Sequence, residues 1–466
     1  MTECTQPELR FRAPSGHELV ARFDGGDMTS DAGMLLLRRA DDRIRLVERF
    51  AGCFSDHRDP CRVEHTTEEL VRQRVYGLAL GYEDQVDHDD LRNDPLLASL
   101  IGKRDVKGKK RGERDRGKAL AGSRTLNRLE LSTPEDAAGD RYRRIALDQE
   151  AVDRLLVDLF LEAHDRAPRR IVLDLDATDD PLHGKQEGRF FHGYYNCYCY
   201  LPLYIFCGEH LLCARLRRSN IDASAGSREE LERIVAQIRA RWPKVRILVR
   251  GDSGFCRDSL MSWCEAEGVD YVFGVARNPR LEDRVGPLLG LAEGLFEARQ
   301  RRVQLYSFFQ WRTLDSWSRS RTVIAKGEHS RLGSNPRFIV TSLPCRDIED
   351  AKRLYRDVYC ARGDMENRIK EQQLYLFADR TSAHTMRANQ VRLDLSSMAY
   401  VLLAAIRRIA LAGTELARAQ CDTMRLRLLK IGARLRVTVR RVWVHMASAC
   451  PWADVFLLAW HRLRPC

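Results

Sequence analysis

Apolar and polar positions alternate most sharply along Ile171-Val172-Leu173-Asp174-Leu175-Asp176-Ala177-Thr178. The run begins as a buried strand would and is then interrupted by two acids. Side chains of a strand alternate faces with period 2, so Asp174 and Asp176 point the same way. A second run of the same kind, Val245-Arg246-Ile247-Leu248-Val249-Arg250-Gly251-Asp252, also ends in an acid and is followed by Ser253-Gly254. Between and around these runs the pattern predicts a helix over 141–165 and an aromatic-rich strand over 194–206. It further predicts a strand over 211–216, a helix over 228–241, a helix over 257–267 and a strand over 270–276. The order β-β-β-α-β-α-β predicts an α/β fold, a mixed sheet flanked by helices.

The flanking regions read differently. Residues 1 to about 100 predict a mostly helical region after a short extended start, with Thr66 capping a helix that carries Glu68 and Glu69 in its first turn. Residues 280–345 hold strand-like runs at 303–308, 322–325 and 337–341, which predict an inserted β-rich unit whose core takes Trp311 and Trp317. One long helix is expected over 350–373 and another over 385–411. The expected divisions are 1–140, a helical DNA-binding region with a basic arm at 103–118; 141–279, the first part of a catalytic core; 280–346, the β-rich insertion; 347–412, core helices; and 413–466, a basic C-terminal region.

A chain of 466 residues is long enough for several domains and a sizeable core. Its formal charge of +12 points to an anionic partner, and the local distribution sharpens this. Residues 103–118 hold nine Lys/Arg against three acids and little apolar content, which predicts a flexible, phosphate-contacting loop. Ser123, Arg124, Asn127 and Arg128 follow at a helix start and suit backbone and base-edge contacts. Residues 423–442 hold seven Arg/Lys and no acid, and Arg434, Arg436, Thr438 and Arg440 alternate with Leu435, Val437 and Val439 to make one strand face basic. The fourteen cysteines include no CxxC pair and no zinc-type spacing, so reduced thiols in a cytosolic compartment are expected. The longest apolar run, 398–406, is far below the ~20 residues that span a bilayer, so no membrane association is expected.

Tyr359, Arg362, Glu366 and Lys370 are spaced by 3, 4 and 4 residues and fall on one helical stripe. With Asp176 and Asp252 on adjacent strands and Glu366 on a covering helix, three carboxylates converge. Such oxygen ligands suit two hard divalent cations of the kind that serve phosphoryl chemistry. Arg362 and Lys370 then meet phosphate oxygens. On this reading of the residues the first acid is either Asp174 or Asp176.

Taken together, these residues resemble a DDE transposase of bacterial insertion sequences with a ribonuclease H-like catalytic core, and more closely the insertion-sequence family numbered thirteen-eighty. The resemblance runs through Phe23-Asp24-Gly25-Gly26 with Ser30-Asp31-Ala32-Gly33, the run from Gln73 to Asp84, Asp174-Leu175-Asp176-Ala177-Thr178, the run from Arg250 to Phe255, and the run from Tyr359 to Glu371. It implies a catalytic and metal-binding triad of Asp176, Asp252 and Glu366. It implies Mg²⁺ (or Mn²⁺), two ions, and Tyr359, Arg362 and Lys370 as DNA or phosphate contacts. The partners it implies are double-stranded DNA, both the terminal inverted repeats of the element and the target, with a homodimer on DNA because two ends must be joined. Where the broader group carries a Lys seven residues after the Glu, this chain has Gln373.

Two other classes share parts of this pattern: a metal-dependent nuclease that hydrolyses DNA without strand transfer, and a non-catalytic DNA-binding derivative. A serine nucleophile at Ser253 lacks the base and acid partners that such chemistry needs. The basic segments at 103–118 and 434–440 predict a DNA affinity that falls steeply with salt, and a gel-shift titration across ionic strength that came out flat would contradict them.

Overall fold

The structure is a computed structural model that describes residues 8–464. The chain forms two compact units, one from Met1–Leu147 with Met398–Cys466 and the other from Asp148–Ser397.

The second unit is built on one large mixed sheet. Its strands are β1 (Arg170–Ala177), β2 (Leu203–Cys207), β3 (His210–Arg215), β4 (Arg246–Gly251), β5 (Asp270–Val275), β6 (Val303–Trp311), β7 (Arg321–Ser330) and β8 (Arg337–Thr341). They lie in the order β3-β2-β1-β4-β5-β8-β7-β6, with the short segment Gly333–Ser334 paired to β7. β1, β4 and β5 run parallel; the other neighbouring pairs are antiparallel. The two parallel steps each need a crossover. Helices α1 (Gln149–Glu162), α2 (Ser227–Arg241) and α3 (Asp258–Ala266) precede or join these strands.

The pleat sorts the side chains. Ile171, Leu173 and Leu175 of β1 pack with Ile247 and Val249 of β4 into the larger core, against Phe160 of α1, Ile234 of α2 and Met261 of α3. Val172, Leu248 and Val272 face the opposite side and pack with Leu354 and Tyr355 from the helical segment that starts at Ile348. By the same alternation Asp174, Asp176 and Arg250 look toward that second face. The mixed sheet flanked by helices is the architecture expected from the β-β-β-α-β-α-β order.

Several local expectations give way to tertiary detail. The aromatic run over 194–206 is two strands, Cys197–Tyr200 and β2, because Pro202 between them has no N–H for a ladder. The first of these joins Asp180–Pro181 and Phe190–His192 in a small sheet of its own. Residues 280–346 open with the helix α4 (Pro279–Arg299), which Pro287, Gly286, Gly290 and Gly294 conceal in the sequence. Their strands do not form a sheet apart: β8 pairs with β5, and Trp317, Val323, Phe338 and Val340 belong to the main core. Trp317 is buried there, and Trp311 packs against the core from its edge under Arg280.

The first unit surrounds the helix Thr67–Leu80, whose residues from Leu70 to Leu80 are all buried. Thr66 caps it as expected, with Glu69 returning the bond. Distant parts of the chain meet here. Ala32 and Gly33 donate to the carbonyls of Ile431 and Leu429, and Met28–Thr29 pairs with Ala433–Val437, so the segment expected as a separate C-terminal region is folded onto N-terminal residues. Asp31 is buried between Tyr82, which donates at 2.7 Å, and the Lys430 ammonium at 2.7 Å. Gly33 allows this approach, since a Cβ there would sit 1.8 Å from the Leu428 carbonyl oxygen. The basic run at 103–118 is a series of turns pinned to its surroundings. Lys103 pairs with Glu69 at 2.6 Å, Lys107 with Asp27 and Arg111 with Glu64, while Arg104, Lys109, Lys110, Arg114 and Arg116 remain exposed.

One buried ion pair ties the large sheet to its cover. Arg250 of β4 donates Nε and Nη2 to both oxygens of Asp174 on β1, at 2.6 and 2.7 Å, and Nη1 to the Val358 carbonyl at 2.6 Å. Removing one partner strands a buried charge, so Arg250→Met is expected to lower unfolding stability by about 3–5 kcal/mol. The double variant Arg250→Met/Asp174→Leu should recover much of that loss, a comparison that urea denaturation of the full-length protein can make.

Candidate active site

β1 and β4 lie side by side and parallel, with Arg250 opposite Asp174. Two residues further on stand Asp176, the next-to-last residue of β1 and still paired with Tyr204 of β2, and Asp252, the first residue past β4, so the two acids lie at the same end of adjacent strands. Asp252 caps the tight turn Ser253–Phe255, accepting from the Gly254 N–H at 2.8 Å. Asp176 keeps only 16% of its side chain exposed, with Arg362 Nη1 3.6 Å from Oδ2 and its own next amide donating at 3.0 Å. Burial pushes the Asp176 carboxyl up to about 6; Arg362 opposes that, and the nearby charges of Asp252 and Glu366 reinforce it.

The two acids expected to compete for one role are in different settings. Asp174 is buried in the bidentate grip of Arg250, and Asp176 is held only loosely by Arg362. Arg250 stands in the motif Arg250–Phe255 with no role that the sequence alone assigns. Its period-2 relation to Asp252 was the available signal, since both lie on the face of Asp174 and Asp176.

The covering segment is helical but irregular. An α-helical start (Ile348–Arg353) passes through a wide turn (Leu354–Tyr359), a tight turn (Cys360–Arg362), an α-helical stretch (Gly363–Lys370) and another wide turn (Glu371–Tyr375). Wide turns of this kind are frequent at functional sites. Met365 and Ile369 are buried and fix the stretch that carries Glu366. Tyr359 packs its ring against Tyr355 at 5.7 Å, and burial raises its hydroxyl pKa. Its hydroxyl reaches the strand beyond Asp252: a Cβ on Gly274 of β5 would lie 2.7 Å from Tyr359 Oη and 2.9 Å from the Ser253 nitrogen. Gly274 thus leaves the space in which Tyr359 and the Asp252 turn meet. Tyr195 also reaches the site, donating to the Ala177 carbonyl at 3.2 Å.

Glu366 is exposed and accepts from Lys370 at 2.8 Å, and that bond holds its carboxyl below the usual range. Among the described residues, no group of three His, Cys, Asp or Glu stands close enough to hold one metal ion. Arg362, Asp252 and Glu366 lie within electrostatic reach of Asp176, and Arg362 and Asp252 within reach of Tyr359, while Glu366 itself is bonded to Lys370. The donor set nevertheless fits a hard cation. Asp176 and Asp252 offer carboxylate oxygens, and the like charge around Asp176 is what a cation would relieve. Gln373 has a task of its own: it donates to the Asp179 carbonyl at 3.1 Å and to Asp180 Oδ1 at 2.9 Å.

Residues 11–466 match the family described as Transposase DDE domain group 1, and the chain belongs to that family. It is a DNA transposase, an enzyme that cuts DNA and transfers strands, and DNA is its partner. DDE transposases generally use divalent metal ions. Among solved structures the chain is similar to a piggyBac transposase in a synaptic complex with hairpin DNA, at 12% identity and a TM-score of 0.41 over 85% of this chain and 79% of that one. No curated protein matches the chain. Among the described residues, no helix is long and apolar enough to cross a membrane.

Asp180, fully buried behind the site, gives a pH prediction. Burial raises its carboxyl to about 8, against which the Gln373 bond works. The unfolded chain releases this proton near pH 4. Between those values the folded state holds more protons than the unfolded one, so stability is greatest below the window and falls as pH rises through it. Asp180→Asn should make that decline shallower in urea unfolding followed across the window without abolishing it, because Asp394, also raised to about 8 by burial, and Asp176, raised to about 6, contribute slope of the same sign.

Proposed function

We propose that Asp176, Asp252 and Glu366 are the catalytic acids of this transposase and that together they hold two Mg²⁺ ions, with Mn²⁺ able to substitute. The observation that carries the reading is the emergence of Asp176 and Asp252 at the same ends of adjacent parallel strands, facing the helical segment that bears Glu366. Asp176 is preferred over Asp174 because Arg250 already satisfies Asp174 on both oxygens. Bound cations supply charge neutralisation at the attacking and leaving oxygens of an in-line displacement. Arg362 holds the Asp176 carboxylate and stands ready for a phosphate oxygen, Lys370 exchanges Glu366 for phosphate, and Tyr359 positions the backbone from its pocket beside Gly274.

The strand order β3-β2-β1-β4-β5, with β1, β4 and β5 parallel, supports a ribonuclease H-like core. The sequence motifs support membership of the insertion-sequence family numbered thirteen-eighty. On this reading the substrates are the terminal inverted repeats of an insertion sequence and a target duplex, joined by a homodimer in the bacterial cytoplasm at the nucleoid. The helical region 1–140 and the exposed residues of 103–118 then contribute to DNA binding.

Asp176→Ala, Asp252→Ala and Glu366→Ala should each abolish end cleavage and joining with Mg²⁺ while leaving affinity for the end DNA within about threefold, since these acids touch few phosphates. The test incubates each purified protein with a fragment carrying the element ends and a second DNA. Equal loss of binding and cleavage in all three variants would reject the assignment; wild-type cleavage without joining would point to a nuclease.

A further inference from the structure

The basic run near the C-terminus is not simply a charged surface. Ala433–Val437 and Val442–Met446 form an antiparallel hairpin in which Arg434 lies opposite His445 and Arg436 opposite Trp443. Ala433 and Leu435 are buried against the first unit, and Leu435 is fastened by its amide to the Asp27 carbonyl at 2.7 Å. The other face is bare: Arg434, Arg436, Trp443 and His445 are all exposed. The Trp443 and His445 rings stack at 6.5 Å with planes 14° apart, and Arg441 lies over Trp443. Thr438 closes the tip by bonding Arg441, which leaves Val439 wholly exposed and Arg440 beside it. Among the described residues, neither Arg434, Arg436 nor Arg440 has an acid partner, and the sequence from Thr423 to Met446 contains no acid at all.

We propose that this hairpin is a DNA-reading ribbon that enters the major groove with the Arg434/Arg436/Trp443/His445 face toward the base edges. The proposal goes beyond the catalytic site and rests on DNA as the transposase's partner. A major groove about 12 Å wide admits a two-stranded ribbon. Arg434 and Arg436, one pleat apart on the same face, have the fork geometry that takes guanine O6 and N7 in pairs. Trp443 supplies the apolar surface that suits a thymine methyl, and Arg440 and Arg441 at the tip meet flanking phosphates. Charge complementarity favours a polyanion, and rigid backbone anchoring favours recognition over loose attraction.

The test measures binding of the full-length protein to short duplexes taken from the element's ends and to an unrelated duplex, together with interference by methylation of guanine N7. Wild-type protein should prefer end DNA and show N7 interference at discrete guanines. Arg434→Ala/Arg436→Ala should lose roughly tenfold or more in affinity for end DNA and lose that interference. Arg434→Lys/Arg436→Lys keeps the charge, so it should keep the salt slope yet lose the interference. Thermal melting of both variants should match wild type, because the substituted side chains are exposed. A wild-type protein without N7 interference, or variants whose interference pattern equals wild type, would overturn the ribbon alone. A wild-type protein that binds neither duplex would overturn the DNA partnership with it.

Discussion

Arg250 and Asp174 hold the second unit's chemistry in register. A guanidinium and a carboxylate buried together cost desolvation, and their attraction offsets that cost only with good geometry and every remaining donor occupied. The geometry is good and a further bond adds to it: two parallel bonds join the pair, and Nη1 of Arg250 donates to the Val358 carbonyl. The contact therefore links three elements: β1, β4 and the helical segment one residue before Tyr359. Asp176 and Asp252 each lie two residues beyond a member of this pair, so their separation is set by the same bonds.

Around that anchor, Asp174, Asp176 and Glu366 differ in how much of their charge the protein accommodates. Asp174 is neutralised by its partner, Asp176 is buried with weak compensation, and Glu366 is exposed and satisfied by Lys370. Of these three carboxylates Asp176 is buried with the least compensation, whereas a fully compensated carboxylate has nothing to offer an ion. The wide turns on either side of the Glu366 stretch break the ideal helical stripe and let Tyr359 enter beside Gly274 while Glu366 stays at the surface.

The first unit shows what the remaining motifs do. Asp31, Gly33 and Tyr82 were legible only as parts of a resemblance. In the fold they form a packed network with Lys430, whose ammonium also sits over the Tyr82 ring. Three of the nine basic residues at 103–118, Lys103, Lys107 and Arg111, are likewise paired with acids, whereas among the described residues the arginines of the hairpin Ala433–Met446 have no acid partner.

By itself the sequence determined the strands that carry Asp176, Arg250 and Tyr271, the shared face of Asp174 and Asp176, the capped helix at Thr67 and the basic face of Arg434 and Arg436, although Thr438 and Arg440 lie in the turn beyond that strand. Each of these depends on a local period or a local charge count. The helix α4 escaped because Pro287 and three glycines blur its period, and the strands after it looked like a separate unit because strand pairing is not written in one strand. Only the tertiary structure decided that Arg250 claims Asp174, that Gln373 serves Asp180, and that residues near 30 bind residues near 430. These outcomes depend on partners tens or hundreds of positions away, and a buried charge or strand edge takes whichever partner the fold brings within hydrogen-bonding distance.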